Sequence, residues 1–166
     1  MRKLMLGAVL ALALPAAAMA AQGTPSPEDL ATTACKTEKS QMGTKTFKKT
    51  YVAKSTSKAM KACLAKQGVV AETELKNAAQ ECKAEREADP VKFAEYGTNA
   101  NGKNAFGKCV SSKAKAASEA NTEDRVAAAE TCKAMTKEAL QAEFGTKKNA
   151  FGKCVSTTAK ESGEDE

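Results

Sequence analysis

The pattern of apolar and polar positions predicts an all-helical protein. No stretch alternates apolar and polar residues in the manner of a half-buried strand, and β-branched residues are scarce. Runs rich in Ala, Glu, Lys and Leu instead predict helices over residues 71–87, 105–118 and 125–144. We expect Asn121 and Thr122 to cap the last of these helices and Gly145 to end it.

The segment between the first two of these helices is predicted to hold a short helix and a loop. Asp89 and Pro90 favour a helix start, and this helix is expected to run to Tyr96. The following residues, 97–102, are rich in Gly and Asn and predict a loop. The side chains of Asn99, Asn101 and Asn104 could offer oxygen ligands to calcium, but the loop contains no Asp or Glu. We therefore interpret these residues as turn formers and predict no metal site.

Internal self-similarity divides the chain into three related units with a period of about 45 to 50 residues. Each unit opens on a Cys-Lys pair and closes on a second Cys, and residues 104–111 and 149–156 both read NAFGKCVS. The predicted architecture is all-α, with three repeated disulfide-stapled helix–loop–helix units in series over residues 28–68, 69–119 and 120–160. The remaining segments are a signal peptide (1–20), a flexible N-terminal segment (21–27) and an acidic tail (161–166).

The N-terminus has the pattern of a secretory signal peptide. Arg2 and Lys3 precede an apolar stretch over residues 4–14, and residues 18–20 read AMA, which predicts cleavage after Ala20. The apolar stretch is shorter than the roughly 20 residues that a bilayer requires. We therefore expect a secreted protein (extracellular, in the cell wall or in the periplasmic space) with no membrane span after signal cleavage.

Six cysteines in an exported chain predict three disulfides. The repeat favours pairing within units, as Cys35–Cys63, Cys82–Cys109 and Cys132–Cys154. An alternative scheme pairs cysteines across the connectors, as Cys63–Cys82, Cys109–Cys132 and Cys35–Cys154. All seven aromatic residues lie between the two cysteines of a unit, which favours the first scheme.

Three large apolar residues accompany the closing cysteines. Met60, Phe106 and Phe151 each stand three residues before the closing Cys and hence on its helical face. This spacing predicts a small core around each disulfide. The alternative interpretation is an aromatic shelf that binds a ligand.

The absence of two residue patterns excludes whole classes of chemistry. The chain contains no His and no C-x-x-C, and its cysteines stand at least 19 residues apart. A zinc site, thiol redox catalysis and an activated Cys nucleophile therefore all lack their usual residues. We predict no metal and no cofactor.

One pair of carboxylates has the spacing for acid–base work. Glu81 and Glu85 stand four residues apart on a predicted helix, as a carboxylate-based glycoside hydrolase would require of nearby acids. Lys83 and Arg86 alternate with them, a composition typical of a solvated helix face. We predict that the protein is not an enzyme and has no catalytic residue, with a carboxylate-based hydrolase as the weakest alternative.

Positive charge is concentrated in the first unit. The net charge is +6 for the chain, and from residue 36 to residue 66 nine lysines accompany a single acid, Glu38. We expect these lysines to contact an anionic cell-envelope polymer or a secreted protein partner, while a purely solubilising surface is the alternative. They are Lys36, Lys39, Lys45, Lys48, Lys49, Lys54, Lys58, Lys61 and Lys66. The chain contains only three arginines, which disfavours specific nucleic-acid binding.

A resemblance covers most of the chain after the signal peptide. Residues 96–111 read YGTNANGKNAFGKCVS and are preceded by CKAER at 82–86, and this phrase resembles repeats in small exported bacterial proteins. The resemblance implies a bacterial source and transfers no catalytic or ligand residue. The predicted function is therefore a non-enzymatic binding or interaction module at the cell envelope. A purely structural or stress-related secreted protein is the alternative.

Overall fold

A computed structural model describes residues 23–99, 102–145 and 148–163. The predicted signal peptide and the end of the predicted acidic tail lie outside these residues. Within the described residues every regular element is a helix, which confirms the predicted all-α class. In chain order the helices are α1 (Pro27–Thr50), α2 (Thr56–Ala88), α3 (Pro90–Ala94), α4 (Ala105–Ala134), α5 (Lys137–Phe144) and α6 (Ala150–Gly163).

All six cysteines are paired within the predicted units. The disulfides are Cys35–Cys63 between α1 and α2, Cys82–Cys109 between α2 and α4, and Cys132–Cys154 between α4 and α6. Their Cα–Cα distances of 5.9, 6.0 and 6.1 Å lie in the ordinary range for disulfides. The preferred pairing is confirmed, and the alternative across the connectors is wrong.

Two long helices run through the predicted unit boundaries without a loop. The boundaries at 68–69 and 119–120 lie inside α2 and α4. Asn121 and Thr122 therefore cap no helix, and that prediction is wrong. The Thr122 hydroxyl donates instead to the Ser118 carbonyl at 2.8 Å, a bond typical of a helix interior. Good helix formers upstream supply the preceding turn, so the backbone has no free N–H groups at this point for a cap to satisfy.

The third unit contains a helix break that the sequence pattern did not indicate. The predicted helix over 125–144 is interrupted, since α4 ends at Ala134 and α5 begins at Lys137. The Thr136 hydroxyl accepts a hydrogen bond from the Ala139 N–H at 3.2 Å and so caps α5. Gly145 ends α5 as predicted, with a φ of 90°.

The short helix α3 begins where it was predicted and ends earlier. Its N-cap is Asp89, whose carboxylate accepts from the Lys92 N–H at 2.9 Å. The helix ends at Ala94, two residues before the predicted end at Tyr96. The described part of the predicted loop is not helical, and there a Cβ on Gly97 would lie only 2.9 Å from the Gly102 Cα. Close backbone approach therefore requires glycine at position 97.

The helix α1 begins with a capping box and bends in its second half. The Ser26 hydroxyl accepts from the Asp29 N–H at 3.1 Å, and the Asp29 carboxylate accepts from the Ser26 N–H at 3.2 Å. The hydrogen bonds from the Ser26 side chain and backbone lower the pKa of Asp29. Further along, Gly43 adopts a φ of 75°, and this non-helical residue lets the end of α1 change direction.

Each disulfide lies in its own small hydrophobic cluster, as predicted. Phe47 packs beside Cys35 and Cys63, while Phe93 and Phe151 are buried in the clusters around the other two disulfides. The helix α1 also reaches the two other clusters, because Leu30 packs in the second and Met42 in the third. One helix of the first unit therefore contributes to all three cores.

Candidate basic binding surface

The structure brings six of the nine lysines to one end of the α1–α2 hairpin. Three lie in the last turns of α1, one lies in the short connection, and two lie in the first turns of α2. We call this group the basic tip; it consists of Lys45, Lys48, Lys49, Lys54, Lys58 and Lys61. Apart from half-buried Lys48, these side chains are exposed. The tip therefore presents several ammonium groups over a short stretch of surface.

No acidic side chain neutralises the basic tip from within its own segment. No Asp or Glu occurs between Glu38 and Glu72. Glu38 itself is 0% exposed, and its Oε1 accepts a hydrogen bond from Arg125 Nε at 2.8 Å. None of the nine lysines takes part in an ion pair with a described carboxylate. The one acid of the lysine-rich segment is thus removed from the surface.

A buried hydrogen-bond network surrounds the Glu38 carboxylate. Tyr51 donates its hydroxyl to Glu38 Oε2 at 2.6 Å and accepts from Arg125 Nη2 at 2.8 Å. The Gln67 side-chain amide donates to Glu38 Oε1. Both carboxylate oxygens are therefore satisfied, as a buried charge requires. The network joins α1, α2 and α4.

The electrostatics of this network keep its ion pair intact. Burial raises the pKa of Tyr51 far above its usual value, so its hydroxyl stays protonated. Desolvation acts to lower the pKa of Arg125, but the charge of Glu38 and the contact with Tyr51 outweigh it, so this pKa is raised. Arg125 is thus a permanent cation that links the third unit to the first.

Sequence reasoning counted Arg125 among three arginines and missed this role. Two signals were present in the sequence. Arg125 is the only arginine in the third unit, and Glu38 is the only acid in the lysine-rich segment. An arginine is better suited than a lysine to a buried pair because its planar fork binds several acceptors in a fixed geometry.

The other three lysines lie away from the basic tip. Lys36 and Lys39 stand before the bend in α1, and Lys66 stands farther along α2. Lys66 Nζ donates to Ser156 Oγ at 2.6 Å. Burial and the nearby charge of Arg125 lower the pKa of Lys66 to about 8. Lys66 therefore belongs to a contact with α6 and is separate from the tip.

One member of the tip also contacts the third unit. Lys49 Nζ lies 4.0 Å from the centroid of the Phe151 ring, the geometry of a cation–π contact. The remaining five lysines of the tip have no ring or side-chain partner in the described structure. Of these five, Lys48 is half-buried, and the exposed unpaired part of the tip consists of Lys45, Lys54, Lys58 and Lys61.

The carboxylate pair considered for catalysis forms a surface ion-pair cluster. Lys113 Nζ lies 3.1 Å from Glu81 Oε2 and 2.9 Å from Glu85 Oε1, and Tyr96 donates to Glu85 at 3.1 Å. The hydrogen bond from Lys113 is the main cause that lowers the pKa of Glu85. A general acid needs the opposite shift, because it must hold its proton near neutral pH. The geometry favours the solvated-surface interpretation of this pair.

The loop considered for calcium is closed by side-chain hydrogen bonds. Asn104 Oδ1 accepts from the Thr98 N–H at 3.1 Å, and its Nδ2 donates to Thr98 Oγ1 at 2.7 Å. Asn101 lies outside the described residues. Across residues 23–99, 102–145 and 148–163, no three His, Cys, Asp or Glu side chains form a group that could hold a metal ion. Asn104 thus acts as a turn former.

Comparison with known proteins adds no relative to this picture. No protein-family model matches the chain, and neither the curated proteins nor the solved structures contain a match. None of the helices in the described part of the chain is long and apolar enough to cross a membrane. Three disulfides indicate that the folded protein belongs in an oxidising compartment.

Proposed function

We propose that the protein is an exported, non-enzymatic binding module whose basic tip holds an anionic polymer of the cell envelope. One observation carries this proposal: the only acid of the lysine-rich segment, Glu38, is buried with Arg125. Because the Glu38 carboxylate is paired with Arg125 inside the fold, it does not reduce the positive charge that the tip presents at the surface.

The chemistry of the tip favours a polymer over a compact ligand. Like charges held together on a surface repel each other, and a polyanion relieves this repulsion while releasing small counterions. Lysine ammonium groups are compact and sit on flexible stems, so they suit contacts to repeated charges without a fixed pattern. The tip contains no arginine, which would add planar, shape-specific recognition. We therefore expect loose binding that is sensitive to salt.

The proposal is tested by retention on immobilised heparin during a salt gradient. The test variant is K45Q/K58Q/K61Q, which removes three exposed charges of the tip and keeps good helix formers. The matched control is K76Q/K83Q/K115Q, which removes the same charge from exposed positions elsewhere on α2 and α4. We expect the control to elute close to the wild type and the tip variant to elute at clearly lower salt.

A second measurement replaces heparin by the proposed natural target. Wild type and both variants are sedimented with isolated bacterial envelope fragments at low salt. We expect the wild type and the control variant in the pellet and the tip variant in the supernatant. Equal behaviour of the two triple variants would show that net charge alone is responsible, and an unretained wild type would remove the proposal.

A further inference from the structure

A polar cleft lies where α2, α4 and α6 meet, away from the basic tip. It has a volume of about 530 Å³. Its polar lining includes Lys66 and Glu74 from α2, Asn121 and Asp124 from α4, and Ser156 and Lys160 from α6. The cleft thus combines amines, carboxylates and an amide contributed by three helices.

Two residues that line this cleft each have one buried acceptor atom without a hydrogen-bond partner in the described structure. These atoms are Oε2 of Glu74 and Oδ1 of Asn121, on neighbouring helices. A buried acceptor that lacks a donor is costly, and each case calls for an explanation. A ligand that carries several N–H donors on one group, such as a primary ammonium, would supply the missing donors once these two side chains turn toward the cleft.

The opposite end of the cleft is positively charged. Lys66 bonds to Ser156, and Lys160 stands one helical turn beyond Ser156 on α6. The charges of Arg125 and Lys160 both act to lower the pKa of Lys66, so these cations are close enough to interact. Asp124 also lines the cleft and contributes one negative charge, and Arg125 is already paired with Glu38. One net positive charge therefore remains for an anionic group.

The separation of the two ends sets the size of the ligand. Lys66 and Glu74 are eight residues apart on one helix, which places them about 12 Å apart along its axis. An extended peptide spans about 3.3–3.6 Å per residue. A chain of three or four residues therefore reaches from one end of the cleft to the other.

We propose that this cleft binds a short zwitterionic peptide of three or four residues. Its N-terminal ammonium group donates to Glu74 and Asn121, and its C-terminal carboxylate lies between Lys66 and Lys160. This site does not depend on the polymer-binding function of the basic tip, and either can fail without the other.

The first test is calorimetric titration of the full protein with trialanine. Two modified peptides serve as ligand controls: N-acetyl-trialanine lacks the ammonium group, and trialanine amide lacks the carboxylate. We expect each modification to weaken binding by about tenfold or more, since each removes one charged contact. Absence of binding by trialanine, or equal binding of all three peptides, would overturn the proposal.

Two single substitutions locate the site. Glu74→Gln and Lys160→Gln should each weaken trialanine binding by about tenfold, because each removes one charge that faces the ligand. The matched control is Glu72→Gln, an exposed position on α2 that does not line the cleft, and it should bind as the wild type does. Thermal melts check that all three variants fold. Equal affinities of the three folded variants would contradict the site.

The pH dependence of binding gives an independent readout. Burial raises the pKa of Glu74 to about 6, and the pKa of Lys66 is lowered to about 8. The groups that face them are Glu38 from α1, Asn121, Asp124 and Arg125 from α4, and Lys160 from α6. Affinity should fall below about pH 6 as Glu74 gains a proton, and above about pH 8 as Lys66 and the α-ammonium group of the peptide each lose one. The acid limb should vanish in Glu74→Gln, and its persistence there would contradict the assignment.

Discussion

Two segments of this protein have the same eight residues and different surroundings. Residues 104–111 and 149–156 both read NAFGKCVS, and both form the start of a helix that carries a closing cysteine. In both, the Ala, Cys and Val side chains are buried. This shared burial follows from helical periodicity, since these residues lie on one face against the disulfide.

The phenylalanine and the serine of the two segments differ. Phe106 is half-buried and lies beside the Arg86 guanidinium, whereas Phe151 is 4% exposed in the third cluster. Ser111 is buried, while Ser156 accepts a hydrogen bond from Lys66. The end of α1 lies against residues 149–156, so Phe151 is covered by residues of the first unit. Identical local sequence thus takes its final environment from long-range packing.

The largest expected effect tests the link between the first and third units. Arg125→Ala should lower the free energy of unfolding by about 3–5 kcal/mol, because it leaves the Glu38 carboxylate buried without its partner. The exposed Arg86 provides the matched control, and Arg86→Ala should cost much less. Urea denaturation measures both. A double variant, Glu38→Leu with Arg125→Met, should recover part of the loss. Similar losses of unfolding free energy for Arg125→Ala and Arg86→Ala would show that the network contributes little.

The next prediction compares the two phenylalanines directly. Phe151→Ala should cost about 3–4 kcal/mol because it opens a cavity in a closed cluster. Phe106→Ala should cost about 1–2 kcal/mol, since half-buried Phe106 loses less contact and water fills its place. The same denaturation experiment measures both losses. If the losses are equal, the two segments do not differ in packing as the structure indicates.

A smaller effect concerns the glycine that follows Phe151. A Cβ on Gly152 would lie 2.5 Å from the Thr50 carbonyl oxygen, so Gly152→Ala should destabilise the protein by about 1–3 kcal/mol. Gly68 is also helical but has open space around it, so Gly68→Ala should stabilise the protein by about 0.5–1 kcal/mol. Thermal melts should therefore shift in opposite directions. A stabilising Gly152→Ala would mean that α1 does not approach α6 this closely.

The smallest effect concerns the Glu74 carboxylate, which has a buried oxygen without a hydrogen-bond partner in the described structure. Burial raises the pKa of Glu74 from 4.5 to about 6, and no partner offsets this burial. The folded state therefore binds a proton more tightly than the unfolded state, and Glu74 makes stability decrease as pH rises from about 4.5 to about 6. Glu74→Gln should remove this local decrease from the pH profile of the melting temperature. An unchanged profile would contradict the raised pKa.

Much of the helical structure and the disulfide pairing could be predicted because both depend on local pattern and on the repeat. The helix start at Asp89 and Pro90 and the helix end at Gly145 were predicted correctly, since their chemistry involves only the adjacent turn. The prediction that Asn121 and Thr122 cap a helix was wrong, because such residues act as caps only where the preceding helical turn is absent. Thr136 has the same chemistry and does cap a helix. Local composition does not distinguish these cases.

The residues of the candidate site could be predicted from the sequence, but their arrangement in space could not. The sequence pointed to nine lysines, and the structure gathers six of them at the hairpin end. The unpaired state of the tip depends on Glu38 being buried with Arg125. In the sequence each is the only residue of its kind in its segment, but nothing there shows that the two meet. The polar cleft was not predicted at all, because its residues come from three helices that are distant along the chain.

Sequence alone determined the helical class, the cysteine partners favoured by the repeat, and the concentration of lysines in one segment. These properties follow from periodicity, spacing and composition, which act over a few turns of helix. Only the tertiary structure decided which charges stay at the surface. Glu38 and Arg125 lie 87 residues apart in the chain, and the packing of α1 against α4 brings them together. Burial and pairing arise from that contact, so they cannot be predicted from either residue alone.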